Sequence, residues 1–419
     1  MHTRRDAADG SLTTSAAIVP RWEWRTFGEA FGAAEERFAD PESVHESDEL
    51  YLLTVEDGDT VKVRDGLLDV KRLEEVNDDG LERWRPVLKA AFPLSAAGVG
   101  DVLTGLHVPV PALELAAYTL DELLGEVVRP RRDLLTVDVH KRRRRYSIGG
   151  CMTELADVRA AGEQTRTIAV ESEDPARVLA VVRELGLGSL RNVSYPRGLK
   201  ALLGFGRYAV IDVGTNSVKF HVGELGADRA WRTIVDRAEI TRLGEGLGDT
   251  GRLGPEPMER TIDAIAAMAD EARKTGAVAI AAVGTAGLRN AANSRAFVDA
   301  VRARCGVELE IISGEEEARL AYLAAISALG PSSGSVAVFD TGGGSTQFTF
   351  GRGQRIDDQF SLNVGSVRLT ERFALGGVVS DETLRPAREA IASELATLDG
   401  RSPPERLVAM GGAATNLAA

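Results

Sequence analysis

The chain has 419 residues, 44% of them apolar, and a formal net charge of −13. This length allows two or three domains with their own cores, and the negative charge argues against general nucleic-acid binding. No apolar run is long enough to span a membrane, and Cys151 and Cys305 match no metal or redox spacing. We therefore expect a cytoplasmic protein with neither a nucleic-acid nor a membrane partner.

The first half of the chain predicts an antiparallel meander or barrel behind a disordered tail. The tail, residues 1–20, contains Arg4 and Arg5 but no apolar segment that would make a secretion signal. Short strands separated by glycine or acidic turns follow. They are predicted at 22–27, 49–55, 60–64, 67–75, 83–91, 134–148, 152–160 and 164–173. Helices are predicted at 112–127, behind Pro111, and at 174–185.

Cationic side chains recur at alternating positions of these strands. One face of a barrel strand points inward, and a buried charge needs a partner of opposite sign. The sequence therefore predicts a cavity that binds a polyanion. We assign the binding to Lys62, Arg64, Lys71, Arg83, Arg85, Arg142 and Arg144. The alternative is that neighbouring carboxylates, such as Glu154 and Glu171, merely pair with these cations.

Two glycine-rich turns follow apolar strands in the second half. Asp212-Val-Gly-Thr-Asn-Ser217 follows the run 208–211, and Asp340-Thr-Gly-Gly-Gly-Ser-Thr346 follows the run 335–339. Glycine lets backbone N–H groups approach an anion closely, and an aspartate at each strand end can hold a metal ion beside them. The candidate phosphate-binding residues are Gly214, Thr215, Asn216, Ser217, Gly342, Gly343, Gly344, Ser345 and Thr346. Asp212 and Asp340 are the candidate metal ligands.

Two such hairpins facing each other are typical of the actin-like ATPase fold. Helices predicted at 257–275, 293–304 and 314–329 alternate with strands at 277–283 and 307–312, which predicts a mixed sheet covered on both faces. The expected fold class is thus an α/β actin-like ATPase (ASKHA, ribonuclease H-like) fold, preceded by an α+β antiparallel β-barrel domain.

Six ordered motifs resemble the exopolyphosphatase/guanosine pentaphosphate phosphatase (Ppx/GppA) family. Besides the two hairpins, they are Gly284-Thr-Ala-Gly-Leu-Arg289, Ile312-Ser-Gly-Glu-Glu-Glu-Ala-Arg319, Asn363-Val-Gly-Ser366 and Gly411-Gly-Ala-Ala-Thr-Asn416. The family continues beyond the last motif, so the second lobe is expected to be incomplete. The expected domains are a tail at 1–20, a barrel at 21–200, lobe I at 207–330 and a truncated lobe II at 331–419.

The resemblance also implies residue roles. Glu317 would orient or deprotonate the attacking water, and Arg289 would clamp phosphate oxygens. Mg²⁺ would be the cofactor, held by Asp212 and Asp340. The family has a glutamate where this chain has Gln347, whose amide can orient water but cannot accept its proton. The alternative for Glu317 is a carboxylate that only stabilises a helix N-terminus.

The first half resembles the triphosphate-tunnel (CYTH) family, in which an eight-stranded barrel binds triphosphates. The opening motif of that family alternates Glu, Glu and Lys, whereas here Arg21-Trp-Glu23-Trp-Arg25 replaces the first glutamate. A segment at 194–200 is similar to the end of such domains, and 203–206 is the expected linker. The replacement removes an expected metal ligand, so we expect polyanion binding without catalysis.

Taken together, these resemblances imply a Mg²⁺-dependent exopolyphosphatase that releases terminal phosphate from inorganic polyphosphate. Three alternatives remain open: hydrolysis of guanosine pentaphosphate, polyphosphate sensing without turnover, and a sugar kinase on the same fold. The expected partner is inorganic polyphosphate or guanosine pentaphosphate, and a homodimer is compatible with the sequence.

Overall fold

The structure is a computed structural model that describes residues 19–330 and 334–418, with side chains to residue 414. Most of the expected tail, residues 1–18, lies outside the described residues. The chain forms two compact units. The first extends to Gly206 and includes Leu225–Trp231, and the second comprises Arg207–Glu224 and the chain from Arg232 onward. Among the described helices, none is long and apolar enough to cross a membrane.

The first unit is built on a closed eight-stranded barrel. Its strands are β1 (Arg21–Gly28), β2 (Ser43–Thr54), β3 (Thr60–Arg64), β4 (Leu67–Val76), β5 (Glu82–Ala91), β8 (Leu134–Ile148), β9 (Cys151–Ala160) and β10 (Glu163–Ser172). They close in the order β1-β10-β9-β8-β2-β3-β4-β5, and neighbouring strands are antiparallel. Closure leaves no unpaired strand edge and creates an interior face on every strand.

Helices and a small ribbon cover the barrel. They are the 3₁₀ helix Gly32–Phe38, the ribbon of β6 (Leu94–Ser95) and β7 (Ala117–Tyr118), α1 (Ala96–Gly105), α2 (Leu120–Glu122) with a wider helical turn at Leu123–Val128, α3 (Pro175–Glu184) and α4 (Tyr195–Leu203). Tyr195 and Leu199 of α4 pack among apolar barrel residues that include Tyr51, Val137 and Val158. Helix α4 therefore occupies part of the barrel interior.

The helix predicted at 112–127 begins later than expected. Thr119 forms a capping box with Glu122, so the helix starts only at Leu120. The preceding residues are held in extended form because Tyr118 pairs with Leu94 and is buried. A tertiary contact and a cap therefore override the apolar periodicity of this segment.

The second unit contains two sheets with the same strand order. Its strands are β11 (Gly206–Val213), β12 (Ser217–Leu225), β13 (Trp231–Ile240), β14 (Ala277–Gly284), β15 (Leu309–Ile311), β16 (Ser335–Thr341), β17 (Thr346–Arg352), β18 (Arg355–Leu362) and β19 (Arg406–Met410). The orders are β13-β12-β11-β14-β15 and β18-β17-β16-β19. In each sheet, three strands that are consecutive in the chain are followed by a strand parallel to the first of them. The two lobes are thus topological repeats.

Helices cover both sheets. They are α5 (Leu247–Thr250), α6 (Pro255–Lys274), α7 (Ala286–Arg289), α8 (Ser294–Cys305), α9 (Gly314–Leu329), α10 (Ser366–Arg372), α11 (Asp381–Leu395) and α12 (Gly411–Ala418), with a 3₁₀ turn at Ala396–Leu398. The core of the first sheet includes Phe220, Met268 and Phe297, all fully buried. Helix α9, which the sequence placed in lobe I, instead packs Tyr322 and Ile326 against Val336 and Val338 of the second sheet.

Candidate functional site

Two hairpin turns, one from each sheet of the second unit, meet in direct contact. A Cβ added to Gly344 would lie 2.6 Å from Thr215 Oγ1 and 3.1 Å from Ala286 Cβ. A Cβ on Gly343 would lie 3.3 Å from Asn216 Cβ. Glycine is therefore required where the turns touch, because any side chain on Gly344 would push the hairpins apart.

The backbone of both hairpins leaves amides for an anion. Gly214 N–H donates to the Ser217 carbonyl and Gly342 N–H to the Ser345 carbonyl, each at 3.0 Å. These two amides close the turns and are not available to phosphate. Five others have no acceptor within the described part of the chain. They belong to Thr215, Asn216, Gly343, Gly344 and Ser345. Neighbouring backbone donors without acceptors, in two turns that touch, are candidate ligands for an anion.

The carbonyl groups of the second hairpin are held on the opposite side by α10. Ser366 N–H donates to the Gly342 carbonyl at 3.0 Å and Val367 N–H to the Gly343 carbonyl at 2.9 Å. Arg368 Nε donates to the Gly344 carbonyl, also at 2.9 Å. With three carbonyls fixed in this way, the hairpin presents its amides rather than its carbonyls to the cleft.

The two expected metal ligands lie at the strand ends beside these turns. Asp212 Oδ2 accepts a hydrogen bond from Lys219 Nζ at 3.1 Å, whereas Asp212 Oδ1 is buried and has no partner among the described residues. Burial raises the pKa of Asp340, Lys219 opposes this shift, and the charge of Asp212 adds to it. Partial burial lowers the pKa of Lys219, but Asp212 and Asp340 together raise it above its usual range.

Glu317 and Arg289 form an ion pair beside the aspartates. Arg289 Nη1 donates to Glu317 Oε2 at 2.8 Å and to the Ile312 carbonyl at 3.0 Å. Burial raises the pKa of Glu317, Arg289 opposes the shift, and the charges of Asp212 and Asp340 reinforce it. Arg289 thus fixes the orientation of this carboxylate, a contact that the sequence did not predict.

Gln347 lies opposite Asp340 in the β16–β17 ladder, so both side chains point to the same face of the sheet. Its side chain is buried, and its Nε2 donates to Ser345 Oγ at 2.7 Å and to Ser361 Oγ at 3.2 Å. Ser361 in turn packs against Gly314, near the Arg289 guanidinium. Gln347 therefore contacts the hairpin through the Ser345 side chain and not through the hairpin amides.

Thr346 differs from its expected role. Its hydroxyl donates to the Val364 carbonyl at 2.6 Å, so its single proton ties β17 to the loop before α10. The side chain is also buried. Thr346 is therefore a structural residue of the hairpin and does not supply a hydroxyl donor to a phosphate.

Comparison with known proteins identifies the second half of the chain. Residues 225–416 match the family model of the Ppx/GppA phosphatase family. Exopolyphosphatase 2 of Mycobacterium tuberculosis is 32% identical over 197 residues, which are 45% of this chain and 61% of that protein. Residues 225–416 thus form a Ppx/GppA phosphatase family domain in the C-terminal half of the chain.

Solved structures are also similar over about half of this chain. The Aquifex aeolicus member of the Ppx/GppA family is 34% identical, with a TM-score of 0.44, and the match covers 51% of this chain and 68% of that one. An exopolyphosphatase from Cytophaga hutchinsonii is 25% identical, with a TM-score of 0.46, and the match covers 48% and 66%. The two sheets of the Ppx/GppA domain repeat one strand order, as expected for the actin-like fold, and the antiparallel barrel precedes this domain in the chain.

The aspartates of the Ppx/GppA domain fit Mg²⁺. Among the described residues, no cluster of three or more His, Cys, Asp or Glu side chains could enclose an ion. Mg²⁺ needs only one or two carboxylates, because waters and substrate phosphates complete its coordination. The unpartnered Asp212 Oδ1 and the mutual repulsion of Asp212 and Asp340 are the features that a divalent cation would relieve.

Three residues of the Ppx/GppA site were missed from the sequence. Lys219 lies two positions after the first hairpin, and Arg368 lies two positions after the Asn363–Ser366 motif. A basic residue two positions after each motif was the signal from which these two residues could have been predicted. Ser361 carried no signal, because only strand pairing places it opposite Gln347.

The barrel holds a separate charged cavity of about 400 Å³. Its lining contains seven cationic side chains and five carboxylates, so the cations are in excess. The cations are Arg25, Lys62, Arg64, Lys71, Lys141, Arg143 and Arg145, and the carboxylates are Glu23, Glu42, Asp69, Glu154 and Glu171. Two polar atoms in this lining, Tyr195 Oη and Arg143 Nε, are buried without a partner among the described residues.

Glu49, fully buried below the cavity, organises its cations. Its carboxylate lies 2.9 Å from Lys141 Nζ, 3.2 Å from Lys62 Nζ, 3.5 Å from Arg64 and 3.6 Å from Arg143. Burial alone would raise the pKa of Glu49, but Lys141 and Lys62 hold it well below its usual range. Burial lowers the pKa of Lys141 to about 7 against the attraction of Glu49.

Four of the predicted polyanion-binding residues lie outside this cavity. Arg142 and Arg144 point outward from β8, where they pair with Glu46 and Asp157. The inward face of β8 carries Lys141, Arg143 and Arg145 instead. Arg83 and Arg85 flank the inward-pointing Trp84 and both pair with Glu74 on the outer face. Lys62, Arg64 and Lys71 do line the cavity.

Proposed function

We propose that the Ppx/GppA domain is an exopolyphosphatase that hydrolyses the terminal phosphoanhydride bond of inorganic polyphosphate. The observation that carries the proposal is the contact between two hairpins that leave five amides without an acceptor among the described residues, near three carboxylates and an arginine. Amides hold the anion, and a desolvated carboxylate serves as the proton acceptor. This combination suits hydrolysis of a phosphate ester or anhydride.

The chemistry assigned to the chain is in-line attack of water on the terminal phosphorus. The bond from water oxygen to phosphorus forms while the bond to the bridging oxygen breaks, and the shortened chain leaves with that oxygen. Glu317, held by Arg289, takes the proton of the attacking water. Asp212 and Asp340 would hold Mg²⁺, which when bound neutralises charge on the phosphate oxygens.

Phosphate release from several substrates, measured side by side, tests this proposal. We expect release from long-chain polyphosphate to exceed release from guanosine pentaphosphate, because the chain carries a second polyanion cavity in its barrel. Glucose with ATP is expected to give no sugar phosphate. Faster turnover of guanosine pentaphosphate would favour the nucleotide as the substrate, and binding of polyphosphate without any release would make the protein a sensor.

The barrel cavity supports a second function, which we propose to be polyanion binding without catalysis in a CYTH-like domain. Its excess of cations and its two unpartnered polar atoms favour an anionic ligand. Glu23, the retained carboxylate of the opening motif, is already paired with Arg25 at 2.6 Å. Packing of α4 in the interior favours a chain end or a short oligophosphate over a threaded polymer.

Two neighbouring arginines on β8 allow a matched test of this binding. In a chain whose Glu317 is changed to glutamine to silence hydrolysis, Arg143→Gln should weaken tripolyphosphate binding by about tenfold or more, since it removes a charge from the cavity. Arg142→Gln should leave affinity unchanged, because this side chain pairs outside with Glu46. Calorimetric titrations at two salt concentrations measure both. Equal effects of the two variants would place binding on the outer surface.

A further inference from the structure

The hydroxyl groups of Ser345 and Ser361 are turned by one buried side chain. Gln347 uses both protons of its amide nitrogen, one toward Ser345 Oγ at 2.7 Å and one toward Ser361 Oγ at 3.2 Å. Each serine oxygen is therefore an acceptor in this arrangement. A hydroxyl has a single proton, and neither serine donates its proton to any residue that the structure describes.

A buried hydroxyl whose proton has no acceptor is energetically unfavourable. Ser345 is only 6% exposed and follows the glycines whose amides face the cleft. A buried donor left without an acceptor costs roughly as much as a lost hydrogen bond, so the arrangement is favourable only when an acceptor arrives. The acceptor that suits the neighbouring amides of Gly343 and Gly344 is a phosphate oxygen.

A carboxylate at the position of Gln347 would reverse this orientation. An ionised carboxylate accepts hydrogen bonds and donates none, so Ser345 and Ser361 would turn their protons toward it. It would also stand opposite Asp340 in the ladder, adding a further negative charge to a site in which Asp212, Asp340 and Glu317 already interact. A neutral amide donor avoids both effects.

We propose that Gln347 is a positioning residue that makes the buried Ser345 hydroxyl a proton donor to phosphate, so that the cleft retains orthophosphate. The inference rests on the proposed function, since it assigns the phosphate of that reaction to this cleft. Gln347 itself need not touch the phosphate. Its effect passes through the direction of the Ser345 hydroxyl proton, because Ser361 is exposed and can donate to water, and this effect can be measured by binding alone, without turnover.

Calorimetric titration with inorganic phosphate tests the proposal in a double-mutant cycle of the full chain. We expect Ser345→Ala to weaken phosphate binding by about tenfold or more, as for the loss of one hydrogen bond to a charged group. In a Gln347→Glu chain, the same serine substitution should have almost no further effect at pH 8, because the serine proton already points to the carboxylate. Equal effects of Ser345→Ala in the two backgrounds would overturn the proposal.

The pH dependence of phosphate binding distinguishes an effect of residue 347 on hydroxyl orientation from an effect on packing. Gln347→Glu should bind phosphate poorly at pH 8 and recover toward wild-type affinity as the pH falls, because a protonated carboxyl can again donate a proton to a serine. The ratio to the wild type at each pH cancels the ionisation of phosphate itself. A loss of affinity that is the same at every pH from 5 to 8.5 would mean that Gln347 acts only through packing.

Two further variants serve as controls for misfolding and for nonspecific effects of the added charge. Gln347→Met keeps the side-chain volume and lacks both donors, so it should give a smaller loss that does not vary with pH. Gln359→Glu places a carboxylate in the same sheet, opposite Thr349, and should leave the Ser345→Ala effect intact. A wild type that binds phosphate but releases none from polyphosphate would keep this inference and overturn the proposed turnover. A wild type that releases phosphate from polyphosphate but does not bind orthophosphate would overturn this inference and keep the proposed turnover.

Discussion

Glu317→Gln is expected to lower kcat for polyphosphate by roughly 10²–10⁴-fold with little change in polyphosphate affinity. The amide keeps the size of the side chain and can still accept a hydrogen bond from Arg289, but it cannot take the proton of the attacking water. The amides of the two hairpins, which bind the phosphate, are untouched. Steady-state kinetics on polyphosphate, with KM and kcat determined separately, measures the change.

Glu315 provides the matched control for this variant. It lies two residues earlier in the same helix, is exposed, and makes no ion pair among the described residues. Glu315→Gln should therefore leave kcat close to the wild-type value. If both substitutions produced the same small effect, the acidic run would be no more than a favourable helix N-terminus, and the role assigned to Glu317 would be wrong.

The pH profile gives a second readout of Glu317. Burial raises its pKa, so the carboxylate that accepts the proton is lost as the pH falls through a value above the ordinary one of about 4.3. The acid limb of kcat is expected at this raised pKa. In Glu317→Gln the same limb should disappear from the residual activity, because the group that titrates is absent. An unchanged limb in the variant would assign it to another carboxyl.

The sequence was most informative where glycine and aspartate mark a backbone shape. Both hairpins are at their predicted positions, because strand, aspartate and glycine turn form a local signal. The pairing of Arg289 with Glu317 was not predictable in the same way, since it joins α7 to α9 across 28 positions of the chain. The use of the Thr346 proton by the Val364 carbonyl is likewise a tertiary contact.

The barrel shows a different limit of prediction from sequence, namely which face of a strand points inward. The run His140–Arg145 carries basic residues on both faces, so counting charges cannot choose the inward one. The sequence nonetheless contained the information about which face points inward. Val137 and Val139 alternate along the strand in step with Lys141 and Arg143, so all four lie on one face. Apolar residues of the same strand reveal which phase faces the interior. The alternation of apolar residues was therefore a better guide than the alternation of charge.

Glu49→Gln is expected to destabilise the barrel by about 3–5 kcal/mol, because it leaves buried cations without their shared counter-charge. The carboxylate is fully buried and lies within 3.6 Å of four cationic side chains. For a unit of this size, such a loss should lower the melting temperature by on the order of 10 °C. Calorimetric melting of the full chain measures this shift.

The matched control for this variant lies on the same strand. Glu46→Gln removes a carboxylate whose pair with Arg142, at 3.4 Å, is exposed on the outer face. Surface pairs of this kind are worth about 0–1 kcal/mol, so melting should hardly change. An equal loss of stability in the two variants would show that Glu49 is not the centre of the cationic cluster.

Low pH should reproduce the effect of Glu49→Gln in the wild type. Because the pKa of Glu49 in the folded barrel lies well below its usual range, its stabilising contribution is complete above about pH 4.3 and is lost as the pH falls further. The variant should lack this part of the acid destabilisation. Loss of the same stability between pH 7 and 5 in the wild type would contradict the assignment to Glu49.

Tripolyphosphate should stabilise the Glu49→Gln barrel more than it stabilises the wild-type barrel. With Glu49 neutral, Lys62, Lys141 and Arg143 no longer share an internal carboxylate, and a bound polyanion takes its place as their counter-charge. The variant is therefore expected to be less stable than the wild type alone, yet to bind tripolyphosphate more tightly and to gain more in melting temperature from it. A smaller gain in the variant than in the wild type would mean that Glu49 orients the cations for the ligand rather than competing with it.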